Sequence, residues 1–284
     1  MGSDLVLPFE NKVRIDKTSF RYSFSFLPRA RRNALRTIYT FCRMTDDIVD
    51  NVDKTQSKME ALHKWRIEFE NAFQGSSNYP FLNNLTDIIK KFNIPIIHFY
   101  DLLRGVEIDL LKNRYETFEE LKEYCYLVAS SVGLMSLKIF GSDYEKTKEY
   151  AINLGIALQL TNIIRDVAID AHYGRIYIPL EDLRKFGYSE EDLFLHKYND
   201  AFISLMKFQV ERADSYYSFA RESLPKEHGK AMFAAKIMER IYYHILLRIK
   251  KRNYNVFDKS LSIPKFLQIL IALKYWIKQR LLGW

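Results

Sequence analysis

The sequence predicts an all-α fold, on three observations. Glycine and proline number only 10 and 7 in 284 residues, below their usual shares of about 7% and about 5%. Hydrophobic residues make up 48% of the chain, enough for one large buried core. Apolar side chains recur at helical spacing, and no stretch alternates apolar with polar as a half-buried strand would. Few breakers and a helical period imply long helices joined by short loops.

Pro28 opens the first helix, expected over 28–50, where Leu35, Ile38, Tyr39, Cys42 and Thr45 share the spacing. Helix-compatible stretches follow at 56–73, 81–92, 95–112 and 117–140. Gln74 to Pro80 (QGSSNYP) reads as a loop from its Gly, Ser, Asn and Pro content. Gly141, Ser142 and Asp143 form a second break, with Asp143 placed to cap the next helix. A loop is expected from His172 to Pro179, after which helices resume at 189–195, 199–223, 227–252 and 263–282. No repeat, low-complexity run or long linker parts the chain. Residues 1–284 are therefore expected to form a single domain, with 262–284 a basic amphipathic C-terminal helix.

The net charge of +8 is unevenly spread. Residues 221–284 hold 14 Lys and Arg against 4 Asp and Glu, so the other 220 residues carry −2. No recognisable nucleic-acid motif accompanies this charge, and nucleic acid is set aside as a partner. A membrane surface fits better, since anionic lipids attract Lys and Arg placed beside apolar residues. The longest uncharged run near the end, Phe266 to Leu273, is far too short to span a bilayer. No secretory signal is expected. Cys42 and Cys125 make neither a disulfide framework nor a zinc spacing, which places the protein in a reducing cytoplasm, with peripheral contact at the inner membrane face. HExxH, P-loop and GxGxxG patterns are missing.

Two acidic clusters carry the chemistry: Asp46, Asp47 and Asp50 in FCRMTDDIVDN, and Asp166 and Asp170 in QLTNIIRDVAID. Asp46 and Asp50 are spaced i,i+4, as are Asp166 and Asp170, so each pair projects from one helix face. Like charges at that spacing repel, and two such pairs inside apolar helices imply a site that gathers cations. Gln159, Asn162, Asp166 and Asp170 form one polar stripe, while Arg43 and Tyr39 precede the first cluster at helical spacing. Hard oxygen donors without His or Cys favour Mg²⁺, with Mn²⁺ as the alternative. Mg²⁺ is usually held by one or two carboxylates plus substrate phosphate, so a diphosphate is the implied ligand.

The segments FCRMTDDIVD, YCYLVASSVG, LGIALQLTNIIRD and GRIYIP resemble, in order and spacing, the squalene and phytoene synthase family of head-to-head prenyl synthases. The resemblance runs from about Ser19 to Tyr254. Within the family, RYETFEELKEYCYLVASSVGL and ERIYYHILLRI look most like bacterial presqualene diphosphate synthases of hopanoid biosynthesis. The resemblance implies the all-α isoprenoid-synthase fold, with a central cavity between two facing Asp-rich helices. It also implies Mg²⁺ on Asp46 and Asp50 from one side and on Asp166 and Asp170 from the other. Arg43 would contact diphosphate, with Tyr39 and Asp47 beside it, and Gln159, Asn162 and Arg165 would line the second site. Tyr126 matches a tyrosine near the reacting carbons, Tyr242 one facing the cavity, and Arg175 a further diphosphate contact. Ser19 and Phe20 fall at one substrate subsite, but Arg21 follows them where relatives often carry an aromatic, and Asp16 stands where some carry histidine.

The implied reaction joins two molecules of farnesyl diphosphate into presqualene diphosphate with release of diphosphate, leaving a later isoprenoid enzyme to finish. Squalene, dehydrosqualene and phytoene are the alternative products. Squalene needs hydride from NADPH, and the family carries no Rossmann signature that would decide its use. A head-to-tail elongase is disfavoured, because its second motif normally reads DDxxD where this chain has RDVAID. A non-catalytic lipid-binding or assembly protein on the same scaffold is disfavoured by the intact aspartates.

Overall fold

A computed structural model describes residues 23–50, 55–258 and 261–282. Among them the regular structure is helical, apart from an isolated parallel bridge between Arg114 and Ile176. The helices are α1 (Arg29–Asp50), α2 (Thr55–Ala72), α3 (Pro80–Phe92), α4 (Ile97–Leu111), α5 (Phe118–Cys125) and α6 (Ser131–Phe140). They continue with α7 (Tyr144–His172), α8 (Leu180–Lys185), α9 (Glu190–Phe194), α10 (Asp200–Ser223), α11 (Phe233–Lys251) and α12 (Lys265–Leu282).

Local chemistry explains most boundaries. Pro80 begins α3, and Asn93 ends it in the left-handed region at φ 51°. Thr117, Asp143 and Asn199 each accept a backbone N–H in the first turn of the helix they cap. Ser189 and Asp192 form a reciprocal capping box on α9. The short helix α8 falls outside the elements expected from sequence. It is held by tertiary bonds rather than length: buried Asp182 accepts from Gln209 at 2.9 Å and Arg212 at 2.5 Å. The helix expected over 227–252 begins only at Phe233, after a 3₁₀ turn over Lys226–His228.

The expected helix over 117–140 is interrupted by a π-helical turn, Tyr126–Ser130. Its neighbours press in from both sides. A Cβ at Gly155 of α7 would lie 2.5 Å from the Ser130 Cα, and one at Gly105 of α4 would lie 2.9 Å from the Leu127 Cβ. The Ser130 hydroxyl donates to the Ile152 carbonyl at 2.8 Å. Such turns commonly occur at functional sites because they re-aim the side chains around them.

α7 runs through the middle, burying Leu154, Leu160, Ile163, Ile164 and Val167 against α6, α10 and α11. By length and apolarity it is the one described helix that could cross a membrane, but half of its apolar window is buried within the molecule. The acidic end of α1 is fixed by an aromatic cluster. Phe41 packs on Trp65, Phe69 and Phe99 at 5.1–5.7 Å, and the Trp65 indole donates to Thr45 Oγ1 at 2.9 Å. Next to α7, the chain from Arg175 to Glu181 is strapped to 113–116. Ile176 donates to the Asn113 carbonyl at 3.0 Å and Leu180 to the Tyr115 carbonyl at 2.9 Å.

Candidate active site

α1 and α7 open on a common polar cavity of about 390 Å³. α1 contributes Arg43 and Asp46, and α7 contributes Gln159, Asn162, Arg165, Asp166 and Asp170. A second, apolar cavity of about 240 Å³ adjoins it, walled by residues such as Phe24, Val132, Leu154, Leu158 and Met238. Asp46, Val128, Gln159 and Asn162 line both cavities, so the two chambers meet at these residues.

The carboxylates are electrostatically uneven. Arg165 binds Asp166 through both arms, Nε to Oδ1 at 2.8 Å and Nη2 to Oδ2 at 2.5 Å. Burial opposes the Arg165 charge, but Asp166 outweighs it and the guanidinium pKa rises. Asp170 is pushed up to about 7, first by burial and then by the Asp166 and Asp109 charges, against the pull of Arg175. Arg43 reaches forward one turn to Asp47 at 2.7 Å. Asp47 is not among the cavity-lining residues and braces Arg43 instead.

Asn162 supplies a test of whether a cation fits. Its Oδ1 is buried without a hydrogen-bond partner, although its amide donates to Gln159 Oε1 at 3.4 Å. An orphaned buried acceptor costs about 1–3 kcal/mol, and a hard cation beside Asp166 would satisfy it. Among the described residues, no three His, Cys, Asp or Glu side chains converge closely enough to hold an ion alone. A cation held here would complete its coordination with water and substrate phosphate, as Mg²⁺ usually does.

Tyr126 does not line either cavity. It faces Asp101 and Tyr144, and burial, then Asp101, push its phenol pKa upward. Tyr124, two residues earlier and buried, lines the polar cavity in its place. Residues i and i+2 of a helix point to different faces, so the YCY segment offers two tyrosines and only packing selects one. Tyr124 is hydrogen-bonded to Tyr177, and Tyr177 donates to Asp109 Oδ1. Burial raises both phenols, leaving them as neutral donors. Arg175 Nη1 lies 3.4 Å from the other Asp109 oxygen. Arg175 is thus placed behind Asp109, outside the polar cavity's lining.

Asp109 and Tyr177 were not read from the sequence as site residues. Asp109 stands alone in GVEIDLLK, and Tyr177 reaches it only through the strap on 113–116. The GRIYIP segment was the one available signal for Tyr177. Of the remaining candidates, Tyr39 and Tyr242 line the apolar cavity, and Asn162 also hydrogen-bonds Tyr242. Asp50 closes α1, but its side chain, like all of Ser19 and Phe20, lies outside the described residues.

The chain is similar to known proteins of one family. The squalene/phytoene synthase profile matches residues 13–266. Phytoene synthase of Arthrospira platensis is 37% identical over 265 residues, covering 89% of this chain and 86% of that protein. The 15-cis-phytoene synthase of Synechocystis is also 37% identical, covering 90% and 80%. A dehydrosqualene synthase crystallised with a ligand superposes with a TM-score of 0.83 at 27% identity, over 95% of this chain and 93% of that one. Squalene synthase from Alicyclobacillus acidocaldarius superposes with a TM-score of 0.75 at 30% identity, over 83% and 89%.

Proposed function

The chain belongs to the squalene/phytoene synthase family of head-to-head prenyl-diphosphate condensing proteins, and from that premise we propose that it joins two farnesyl diphosphates into presqualene diphosphate. One observation carries the reading: a carboxylate-lined chamber opens directly into an apolar one, with Asp46, Gln159 and Asn162 at the junction. A diphosphate head and a hydrocarbon tail need just such a pair of compartments.

Asp46, Asp166, Asp170 and the Asn162 oxygen would hold Mg²⁺ from the two helices, with Asp50 added from its place in the α1 motif. When bound, the metal neutralises diphosphate charge and so assists its departure. Arg43 and Arg165 face the same chamber and contact the diphosphate oxygens. Loss of diphosphate leaves an allylic cation, which Val128, Leu158 and Tyr242 shield from water. The double bond of the second substrate attacks that cation, and loss of a proton closes the cyclopropane. Tyr124 lines the polar chamber, and as its oxygen takes that proton its own hydroxyl proton passes to Tyr177 and the Tyr177 proton to the Asp109 carboxylate. Released diphosphate is the base that competes with it.

The choice of the fifteen-carbon substrate rests on the segments RYETFEELKEYCYLVASSVGL and ERIYYHILLRI, which look most like bacterial presqualene diphosphate synthases. The names of the curated relatives favour a second reading, condensation of two twenty-carbon diphosphates toward phytoene. The helices from α1 to α12 contribute to one cluster of buried side chains, which supports taking 1–284 as a single domain. Cys42 and Cys125 are buried and unpaired, which supports a cytoplasmic location. Product analysis tests the proposal: purified protein with Mg²⁺ is given either farnesyl or geranylgeranyl diphosphate, with and without NADPH, and products are identified by mass spectrometry. A thirty-carbon diphosphate under both conditions is the expected result. Squalene formed only with NADPH would extend the activity to both half-reactions, and exclusive use of geranylgeranyl diphosphate would replace this reading with the second.

A further inference from the structure

α12 has two apolar faces, and the molecule covers only one. Ile271 and Ala272 are buried, and Tyr275 and Trp276 are half-buried against the core. Phe266, Ile269, Leu270, Leu273 and Ile277 are exposed at 65%, 47%, 53%, 40% and 41%. These five fall at i, i+3, i+4, i+7 and i+11, a single stripe along the helix.

The inward face backs the apolar chamber. Trp276 stacks on Phe26 with ring centroids 5.8 Å apart, and Phe26 meets Phe233 edge-on at 6.1 Å. Phe24 and Met232, close in sequence to those two rings, line the chamber itself. Tyr275 lies near enough to Tyr150, another wall residue, to affect its ionisation. α12 therefore covers part of the chamber wall while presenting hydrocarbon outward.

Charge selects what covers that outer stripe. From Lys259 to Trp284 the chain has five Lys and Arg and no Asp or Glu. Lys265 and Lys274 are exposed beside the stripe, and exposed Arg240 of α11 lies near Tyr275. A second copy of this face would bring like charges together, whereas an anionic bilayer complements both the charge and the apolar stripe. We propose that α12 docks the protein on an anionic membrane surface, and that the wall it shares with the chamber is where hydrocarbon product passes into lipid. Docking stands by itself; the passage rests on the condensation proposed above.

The test sediments the full chain with phosphatidylcholine vesicles, with and without phosphatidylglycerol. Wild-type protein pellets with the anionic vesicles and is released by salt. Leu270→Gln/Leu273→Gln and Lys265→Glu/Lys274→Glu each lower partitioning at least about tenfold, while circular dichroism and turnover in detergent stay at wild-type values. Anionic vesicles accelerate multiple turnover of the wild type but not of either double variant. Wild-type protein left in the supernatant overturns docking, as do variants that pellet equally. A dimer broken by Leu270→Gln, without vesicle binding, assigns the face to a second copy and overturns it too. Vesicle binding that leaves turnover unchanged overturns the passage alone. No turnover in detergent removes the condensation and the passage together, while the pellet still decides docking.

Discussion

At the polar end of the cavity, Asp46, Asp109, Asp166 and Asp170 share one space with Arg43 and Arg165. At the apolar end, Phe24, Val132, Leu154 and Met238 surround a chamber whose walls continue into the helix core. The polar end keeps an orphaned Asn162 oxygen and an Asp170 held near neutrality. The apolar walls close as the helices pack, driven by burial of their own surface. One end is thus finished by folding, and the other is finished by what it binds.

Removing metal is the sharpest way to break that contrast. A chelator should abolish turnover and Mg²⁺ should restore it, with the helical circular dichroism unchanged throughout. Turnover that persists in chelator would detach the carboxylates from metal altogether. Asp166→Asn should follow, cutting kcat by about 10²–10³, the scale of losing one preorganised electrostatic partner, without loss of fold. A near-wild-type rate would make the Arg165–Asp166 pair structural.

The lining of the polar end is tested by two tyrosines. Tyr124→Phe should reduce kcat roughly tenfold or more, and Tyr126→Phe should leave it nearly unchanged, because only Tyr124 lines the polar cavity. The reverse pattern in steady-state rates would reject this choice of tyrosine. At the apolar end, Gly155→Ala would force a Cβ to within 2.5 Å of Ser130 backbone. The expected destabilisation is about 1–3 kcal/mol, seen as a lower Tm with Mg²⁺ dependence retained.

The polar end also predicts a pH slope in the metal-free protein. Asp170 ionises near its ordinary 3.8 when unfolded and at about 7 when folded. Between those values the folded state binds more protons, so stability falls as pH rises from about 4 to about 7 and levels off above. Asp170→Asn should remove that part of the slope in denaturant titrations, and an unchanged slope would assign it elsewhere.

Much of this is legible in the sequence. The spacing of Asp46, Gln159, Asn162, Asp166 and Asp170 already marked single helix faces, because side-chain direction in a helix follows from residue number. The Asp143 cap was legible for the same local reason. Tyr124 was not, since choosing it over Tyr126 depends on how α5 meets the π turn, which Gly105 and Gly155 allow α4 and α7 to press. Asp109 and Tyr177 were hidden because they are 68 residues apart and meet across a strap of backbone hydrogen bonds.

The sequence alone determined the helical class, the two acidic faces and the oxygen-only chemistry, all of which depend on residue identity and periods of a few residues. Tertiary structure alone decided that both faces open on one cavity, that an apolar chamber adjoins it, and which tyrosine stands at the polar cavity. Those outcomes depend on contacts between distant segments, where burial and close packing choose among side chains that local spacing leaves equivalent.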